Sequence, residues 1–165
     1  MYASFGTLQN RRPDSFRMVA EACAGTGHQV VISTGHGVAP GALAGLPGGP
    51  IVVGYAPQRE LLARAALAVT HAGLNTVLDA LGAGVPLVAV PVTNEQPGIA
   101  ARVAWAGAGE VLPPGRATAG RLRDLVGRVG REGSYRAAAV RVADSIRSGG
   151  GAERAAELVE KDLLA

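Results

Sequence analysis

Short runs rich in β-branched residues alternate along this chain with stretches whose apolar residues recur at helical spacing, and that alternation admits few folds. Residues 2–5, 29–33, 51–53, 66–70, 86–90 and 110–112 read as strands. Between them, residues 59–65, 75–82 and 97–106 read as helices. Pro13 opens an earlier helix on which Phe16, Val19, Ala20 and Cys23 share a face. Strand and helix in strict succession predict an α/β domain, a doubly wound parallel sheet of about six strands. Residues 35–50 form a glycine- and proline-rich connection with room for one helical turn near residues 42–44. From Thr118 onward the pattern is helical only. Thr118 caps a helix carrying Leu122, Leu125, Val126 and Val129, and a second follows over residues 134–147. Gly149-Gly-Gly151 then breaks the chain before a last helix over residues 152–164.

A chain of 165 residues has room for one domain with its own core, and no internal boundary or repeat divides residues 1–165. With hydrophobic residues at 48% and charged residues at 18%, the chain is globular rather than disordered. The 24 glycines and 10 prolines point to loops that turn tightly or admit a ligand to the backbone. A single cysteine, Cys23, excludes an internal disulfide and any cysteine-based zinc site; its place on an apolar helix face predicts a buried, inert thiol. No apolar run reaches membrane-spanning length and no signal sequence opens the chain, so a cytoplasmic setting is expected. The net charge of +3 comes from arginines scattered over helix surfaces, and aromatic residues are only 4% of the chain. Without stacking platforms, nucleic acid is not an expected partner. His28 and His36 fall in or beside turns and read as surface residues. A sheet whose first strand begins at residue 2 suggests a chain cut at a domain boundary.

The most informative run is Thr70-His-Ala-Gly-Leu-Asn-Thr76, where a buried strand ends, a glycine turn follows and a helix begins. N–H groups at a helix start lack intrahelical partners and carry the positive end of the dipole, so this is where an open α/β sheet holds a phosphate. Gly73 lets the backbone approach, Thr76 offers a hydroxyl and His71 a donor. An ordinary strand-to-helix turn with Asn75 as its cap fits the run equally well. Asp79, one turn on, could accept from ribose hydroxyls or simply complement the helix start. Past Gly84-Val-Pro86 and the next strand comes Pro91-Val-Thr-Asn-Glu-Gln96, where Glu95 beside Gln96 suits several hydroxyls at once. A plain polar loop is the alternative there.

Taken together, Tyr55-Ala-Pro-Gln58, His71-Ala-Gly-Leu-Asn-Thr76, Asp79, Gly84-Val-Pro86, Pro91 and Glu95-Gln96 resemble the donor-binding signature of inverting GT-B glycosyltransferases. The offsets from His71 to Gln96 match the plant enzymes, and the segment before His71 is two residues shorter, as in bacterial members. Ala3-Ser-Phe-Gly-Thr7 resembles the first strand and phosphate-side loop of the same C-terminal domain, so the likeness covers nearly the whole chain. Within the family, residues 3–10 and 93–102 resemble the bacterial carotenoid (zeaxanthin) glucosyltransferases, alongside the antibiotic ones.

That resemblance implies the Rossmann-like half of a GT-B fold. Ser4, Gly6, Thr7, His71, Gly73, Asn75 and Thr76 would hold the donor diphosphate. Tyr55 would stand where many members stack a tryptophan on the base, and Gln58 would meet the base edge through its backbone. Asp79 would take the ribose in place of the usual glutamate, one methylene shorter. Glu95 and Gln96 would bind the transferred hexose. The donor would be a UDP- or dTDP-hexose, UDP-glucose by the carotenoid likeness, and the acceptor hydroxylated and apolar. No metal or other cofactor is expected, since there is no Asp-X-Asp motif and His71 with the helix start would stabilise the leaving group. The family's acceptor base belongs to an N-terminal domain with no counterpart in this sequence, so no catalytic base is assigned here and transfer by this chain alone is expected to be absent or very weak. Three readings stay open: a C-terminal domain of a longer transferase, a natural half-enzyme with a separate acceptor subunit, and a non-catalytic nucleotide-binding module. A homodimer through the cleft face is open too. A dinucleotide oxidoreductase is disfavoured, because Gly82, Gly84, Gly107 and Gly109 do not follow the first strand.

Overall fold

The computed structural model describes residues 1–6 and 12–163, so Thr7 and the expected helix end at residue 164 lie outside the described residues. Among the described residues, six strands of three residues each form one wholly parallel sheet: β1 (Tyr2–Ser4), β2 (Val31–Ser33), β3 (Ile51–Val53), β4 (Ala68–Thr70), β5 (Leu87–Ala89) and β6 (Gly109–Val111). The helices are α1 (Pro13–Cys23), α2 (Gln58–Leu62), α3 (Leu74–Gly82), α4 (Gln96–Trp105), α5 (Ala119–Arg131), α6 (Gly133–Ser148) and α7 (Gly151–Leu163). The expected doubly wound α/β fold is therefore present, with each strand and helix within a few residues of its expected place.

Alternation along the strands builds two cores. Ala3, Val69 and Val88 are register neighbours across β1, β4 and β5, and they face α1 and α5 through Phe16, Val19, Leu122 and Val126. Tyr2, Ala68 and Leu87 form the neighbouring row and point to the opposite side, against α3, α4 and α6. The edge-on contact of Phe5 with Phe16, ring centroids 5.5 Å apart, fixes the chain leaving β1 against α1. Cys23 is buried and its thiol is pushed up to about 11 by desolvation, as an inert core sulfur should be.

The C-terminal helices are tied back to the sheet by charge. Arg136 of α6 donates to the carbonyls of Gly84 at 3.3 Å and Ala66 at 2.8 Å, which close the turns entering β5 and β4. Arg123 of α5 donates to the Glu21 and Ala22 carbonyls at the end of α1. Thr118 caps α5 as its sequence suggests, accepting from the Arg121 N–H at 3.3 Å. By contrast, residues 151–162 of α7 are exposed throughout. Among the described residues no helix is long and apolar enough to cross a membrane.

The strand order β3-β2-β1-β4-β5-β6 decides where a site can form. The chain moves outward from β1 to β3, then returns to β1's other side and moves outward again from β4 to β6. Connections therefore diverge from the line between β1 and β4, leaving a crevice at the carboxyl ends of those two strands.

Candidate functional site

At that crevice Ser4 and Thr70 are paired in register as the last residues of β1 and β4, so the two chains leave the sheet side by side. An open cleft of about 500 Å³ covers this edge. Its walls bring together Ser4, Gly6, Tyr55, Gln58, His71, Gly73, Asn75, Thr76, Glu95 and Gln96. Of the residues singled out from the sequence, Asp79 does not line it and Thr7 lies outside the described residues.

His71 lies at the centre. It is buried, with 9% relative exposure, and two glycine backbones lie against one edge of its ring. A Cβ placed on Gly6 would come within 2.7 Å of the ring, and one on Gly73 within 2.5 Å of its Nε2. Gly6 also has a φ of +74°, which L side chains resist. Both positions thus require glycine for the same imidazole, one from each strand of the crevice. Between His71 and Gly73, the buried Ala72 adopts a φ of +66°. A non-glycine residue held there stores strain that the surrounding packing must sustain. Asn94 in the loop after β5 is the other described example, with a φ of 57°, so both strained residues border this cleft.

The helix start behind His71 is uncapped. Gly73 is the N-cap of α3 and offers no side chain, no acidic residue occupies the first turn, and Val77 makes the first return bond, to the Gly73 carbonyl at 3.0 Å. The N–H groups of Leu74, Asn75 and Thr76 therefore carry the helix's positive end without a side-chain cap. Asn75, which the ordinary-turn reading required as a cap, sits inside the helix instead. That arrangement favours an anion.

Polar groups along the β1–α2–α3 side are linked through Gln58. Its Oε1 accepts from the Tyr2 and Thr76 hydroxyls, both at 3.3 Å, while Nε2 donates to Asp79 Oδ2 at 2.8 Å. A carboxylate can only accept and the hydroxyls can donate, so the amide orientation is determined by its neighbours. Arg59 Nε takes the other Asp79 oxygen at 2.9 Å. Tyr55 stands at the rim, 81% exposed and open to a stacking partner.

At the opposite end Gln96 opens α4 and is 4% exposed. Its Oε1 accepts the N–H groups of Val92 at 2.8 Å and Thr93 at 3.0 Å, which fixes the loop after β5. The same two bonds commit its Nε2 to the donor role, and no described residue takes that nitrogen. Glu95 beside it is exposed and accepts only. Donor and acceptor side by side match the hydroxyls of a sugar.

Tyr2, Ser33, Gly35 and Asn94 also line the cleft, and motif reading did not find them. A signal existed for two: Tyr2 is two residues before Ser4 and so on its face of β1, and Ser33 is Ser4's register partner. His28 and His36 are exposed, as expected.

Burial holds the His71 imidazole below its ordinary value near 6.5; a Ser4 backbone hydrogen bond and the charge of Glu95 oppose it less strongly. The ring is neutral at pH 7. The folded chain resists its protonation more than the unfolded chain does, so this contribution to stability is complete above 6.5 and is lost as pH falls below it. Thermal melts should show a lower Tm at about pH 5.5 than at about pH 7.5, and His71→Gln should reduce that difference. An equal or larger fall in the variant would remove His71 as the cause.

A family model described as UDP-glucoronosyl and UDP-glucosyl transferase matches residues 1–147. The chain is similar to the zeaxanthin glucosyltransferase of Pseudescherichia vulneris, 36% identical over 99% of this chain and 40% of that enzyme. It is similar to the demethyllactenocin mycarosyltransferase of Streptomyces fradiae, 34% identical over 95% of this chain and 34% of the enzyme. Among solved structures, the calicheamicin glycosyltransferase CalG4 superposes with a TM-score of 0.89 at 35% identity, covering 97% of this chain and 42% of that one. The glycosyltransferase VinC, in complex with DTDP, superposes with a TM-score of 0.76 at 26% identity over 89% of this chain and 37% of its own. The chain thus spans about two fifths of the length of curated relatives that it matches.

Proposed function

The chain belongs to the UDP-glucoronosyl and UDP-glucosyl transferase family, glycosyltransferases of the GT-B fold, and from that premise we propose that its cleft holds the nucleotide-sugar donor. The observation that carries the proposal is the His71 slot beside the uncapped start of α3, at the carboxyl ends of β1 and β4. The donor diphosphate would rest on His71, the N–H groups of residues 74–76, and Ser4 and Gly6 across the crevice, with Thr7 a candidate by the sequence motif alone. A base would stack at Tyr55 and meet the backbone at Gln58, and the ribose would pass Gln58 near Asp79. Glu95 and the Gln96 amide would take the hydroxyls of a hexose, glucose by likeness to the zeaxanthin enzyme. VinC's complex with DTDP supports a deoxythymidine donor as the other choice.

Chemically, this site addresses the leaving group. A diphosphate departing from the sugar gains charge, and preorganised N–H donors with an imidazole stabilise that charge without reorganising. His71 and the helix start would serve in place of a metal ion. The acceptor, a hydroxylated apolar molecule such as a carotenoid, would be deprotonated by a base from an acceptor-binding N-terminal domain or separate subunit. His71 faces the phosphate end and is not that base. We place the chain in the cytoplasm, where nucleotide sugars are made. Calorimetric titration should show saturable binding of UDP, dTDP or UDP-glucose, with little transfer to a hydroxylated acceptor by these residues alone. Absence of binding to all three at millimolar concentration would leave a non-catalytic interaction module; brisk transfer would contradict the division of labour.

A further inference from the structure

We propose that Tyr2 is a positioning residue for the nucleotide: its buried hydroxyl, on the floor of the cleft, ties the base-side wall to the sheet, so that its loss is felt by a whole nucleotide and not by a diphosphate alone. The inference rests on the donor-site reading above and adds to it a residue beneath the ligand.

Tyr2 and Ser4 share one face of β1, and Ser33 of β2 is the register partner of Ser4. All three therefore point to the same side of the sheet, and all three line the cleft. Tyr2 is only 3% exposed, with its ring packed in the core that holds Ala68 and Leu87. A phenylalanine would fill that core equally well, so the hydroxyl has a role apart from packing. It donates to Gln58 Oε1 at 3.3 Å, and the Ser4 and Ser33 hydroxyls stand within hydrogen-bond reach of the same phenol oxygen.

Each of these partners leads to a different wall of the cleft. Ser4 Oγ accepts the Gly6 N–H at 3.3 Å, on the phosphate side. Ser33 Oγ donates to the Gly54 carbonyl at 3.4 Å, next to Tyr55. Gln58 Oε1 also accepts from the Thr76 hydroxyl at 3.3 Å, in the first turn of α3. Thr76 and Asp79 tie Gln58 to α3, and among the described residues Tyr2 is what ties it to the sheet. That tie matters because α2 is five residues long and has no side-chain cap, a weak anchor for the loop that carries Tyr55. The phosphate side does not depend on it in the same way: His71 is crowded by the backbones of Gly6 and Gly73, and no phenol takes part in that contact. A ligand that spans both walls gains from their fixed spacing, whereas one that touches a single wall does not.

The test compares UDP with inorganic pyrophosphate by calorimetry on the intact chain, pyrophosphate being measured by its displacement of UDP. Tyr2→Phe should weaken UDP about fivefold to tenfold, the worth of one neutral hydrogen bond, and leave pyrophosphate within about twofold of wild type. The ratio of the two is what a merely structural loss does not move, since unfolding or loosening of the whole cleft weakens both ligands together. Ser33→Ala should change the ratio in the same sense. Tyr2→Phe and Ser33→Ala combined should cost UDP less than the product of the single effects, because both hydroxyls serve one set of bonds. A common loss for UDP and pyrophosphate in Tyr2→Phe, or no loss for either, would overturn the role given to the hydroxyl while leaving the donor site standing. So would effects of the two variants that simply multiply. Wild type that takes UDP but not pyrophosphate at about 10 mM would overturn the division of the cleft on which the inference stands. Failure of wild type to bind UDP would overturn the donor-site reading and this inference with it.

Discussion

Gly73→Ala should weaken UDP binding about 10- to 100-fold while leaving the chain folded, the range set by losing one hydrogen bond to a charged group. The backbone gives no reason for glycine there: Gly73 has φ −62° and ψ 134°, an extended conformation any residue adopts. What forbids a side chain is the His71 ring, 2.5 Å from the site of the new Cβ. Gly6 lies against the same edge of the ring, the Cβ it lacks falling 2.7 Å from Cε1 and Nε2, so backbone already crowds that edge from both glycines. The ring must therefore shift, and under the proposed donor reading the hydrogen-bond donor it offers to the diphosphate shifts with it. Overpacking of this kind costs about 1–3 kcal/mol, or several degrees in Tm for a domain of this size. A double-mutant cycle isolates the cause. In a His71→Ala background the same Gly73→Ala change should cost almost no stability and no further affinity, because the ring it strikes is gone. Equal costs with and without the imidazole would show that the slot is not what Gly73 serves. Gly6→Ala should be worse for stability than Gly73→Ala, since it adds a φ of +74° to the same collision.

The phosphate end of this site was legible because its physics is local. Strand, turn and helix follow one another within residues 68–76, and the order alone predicts an exposed helix start at a sheet edge. The slot itself was not legible. Gly6 and Gly73 meet on one imidazole only because β4 returns beside β1, and strand order is not written in any local pattern. Asp79 fails to declare its partners for a similar reason. Its carboxylate is taken by residues of α2, and the packing of α2 against α3 is a tertiary fact. Gln96 was marked as a sugar contact by its position, yet its oxygen spends both lone pairs on the loop after β5. Only the structure shows that the nitrogen is the half left over. Of the cleft's polar floor, Tyr2 and Ser33 follow from strand alternation and parallel register once the order of the strands is known.

Gly109→Ala should cost about 3–5 kcal/mol, a large share of a domain's whole stability, and with little direct effect on the nucleotide cleft. The sequence presents Gly109 as one more loop glycine ahead of a strand at residue 110; in the structure it is the first residue of β6, paired with Leu87 of β5. A Cβ there would lie 2.0 Å from the Leu87 carbonyl oxygen and 3.0 Å from Val103 Cγ1. Neither neighbour can step aside, since Leu87 is fully buried in the sheet and Val103 is on the buried face of α4, packed in the core. The edge strand must separate from β5, losing ladder bonds and opening the contact of α4 with β6. Gly107 provides the contrast two residues earlier. Its φ of +68° makes alanine strained, but the nearest atom to its Cβ is Ala138 Cβ at 3.8 Å. Gly107→Ala should therefore cost only about 1 kcal/mol, the price of the left-handed backbone. Urea melts of the two variants separate the mechanisms: similar midpoints would mean that the β5 carbonyl does not exclude a side chain at residue 109. UDP titrations at low temperature, where Gly109→Ala is still folded, should give a Kd within about threefold of wild type, because His71, the start of α3 and Gln58 all lie on the other side of β5 from the damaged strand. A loss of binding as large as that of Gly73→Ala would instead mean that the loop fixed by Gln96 depends on β6, and that the sugar end of the cleft is built on the sheet edge rather than on the line between β1 and β4.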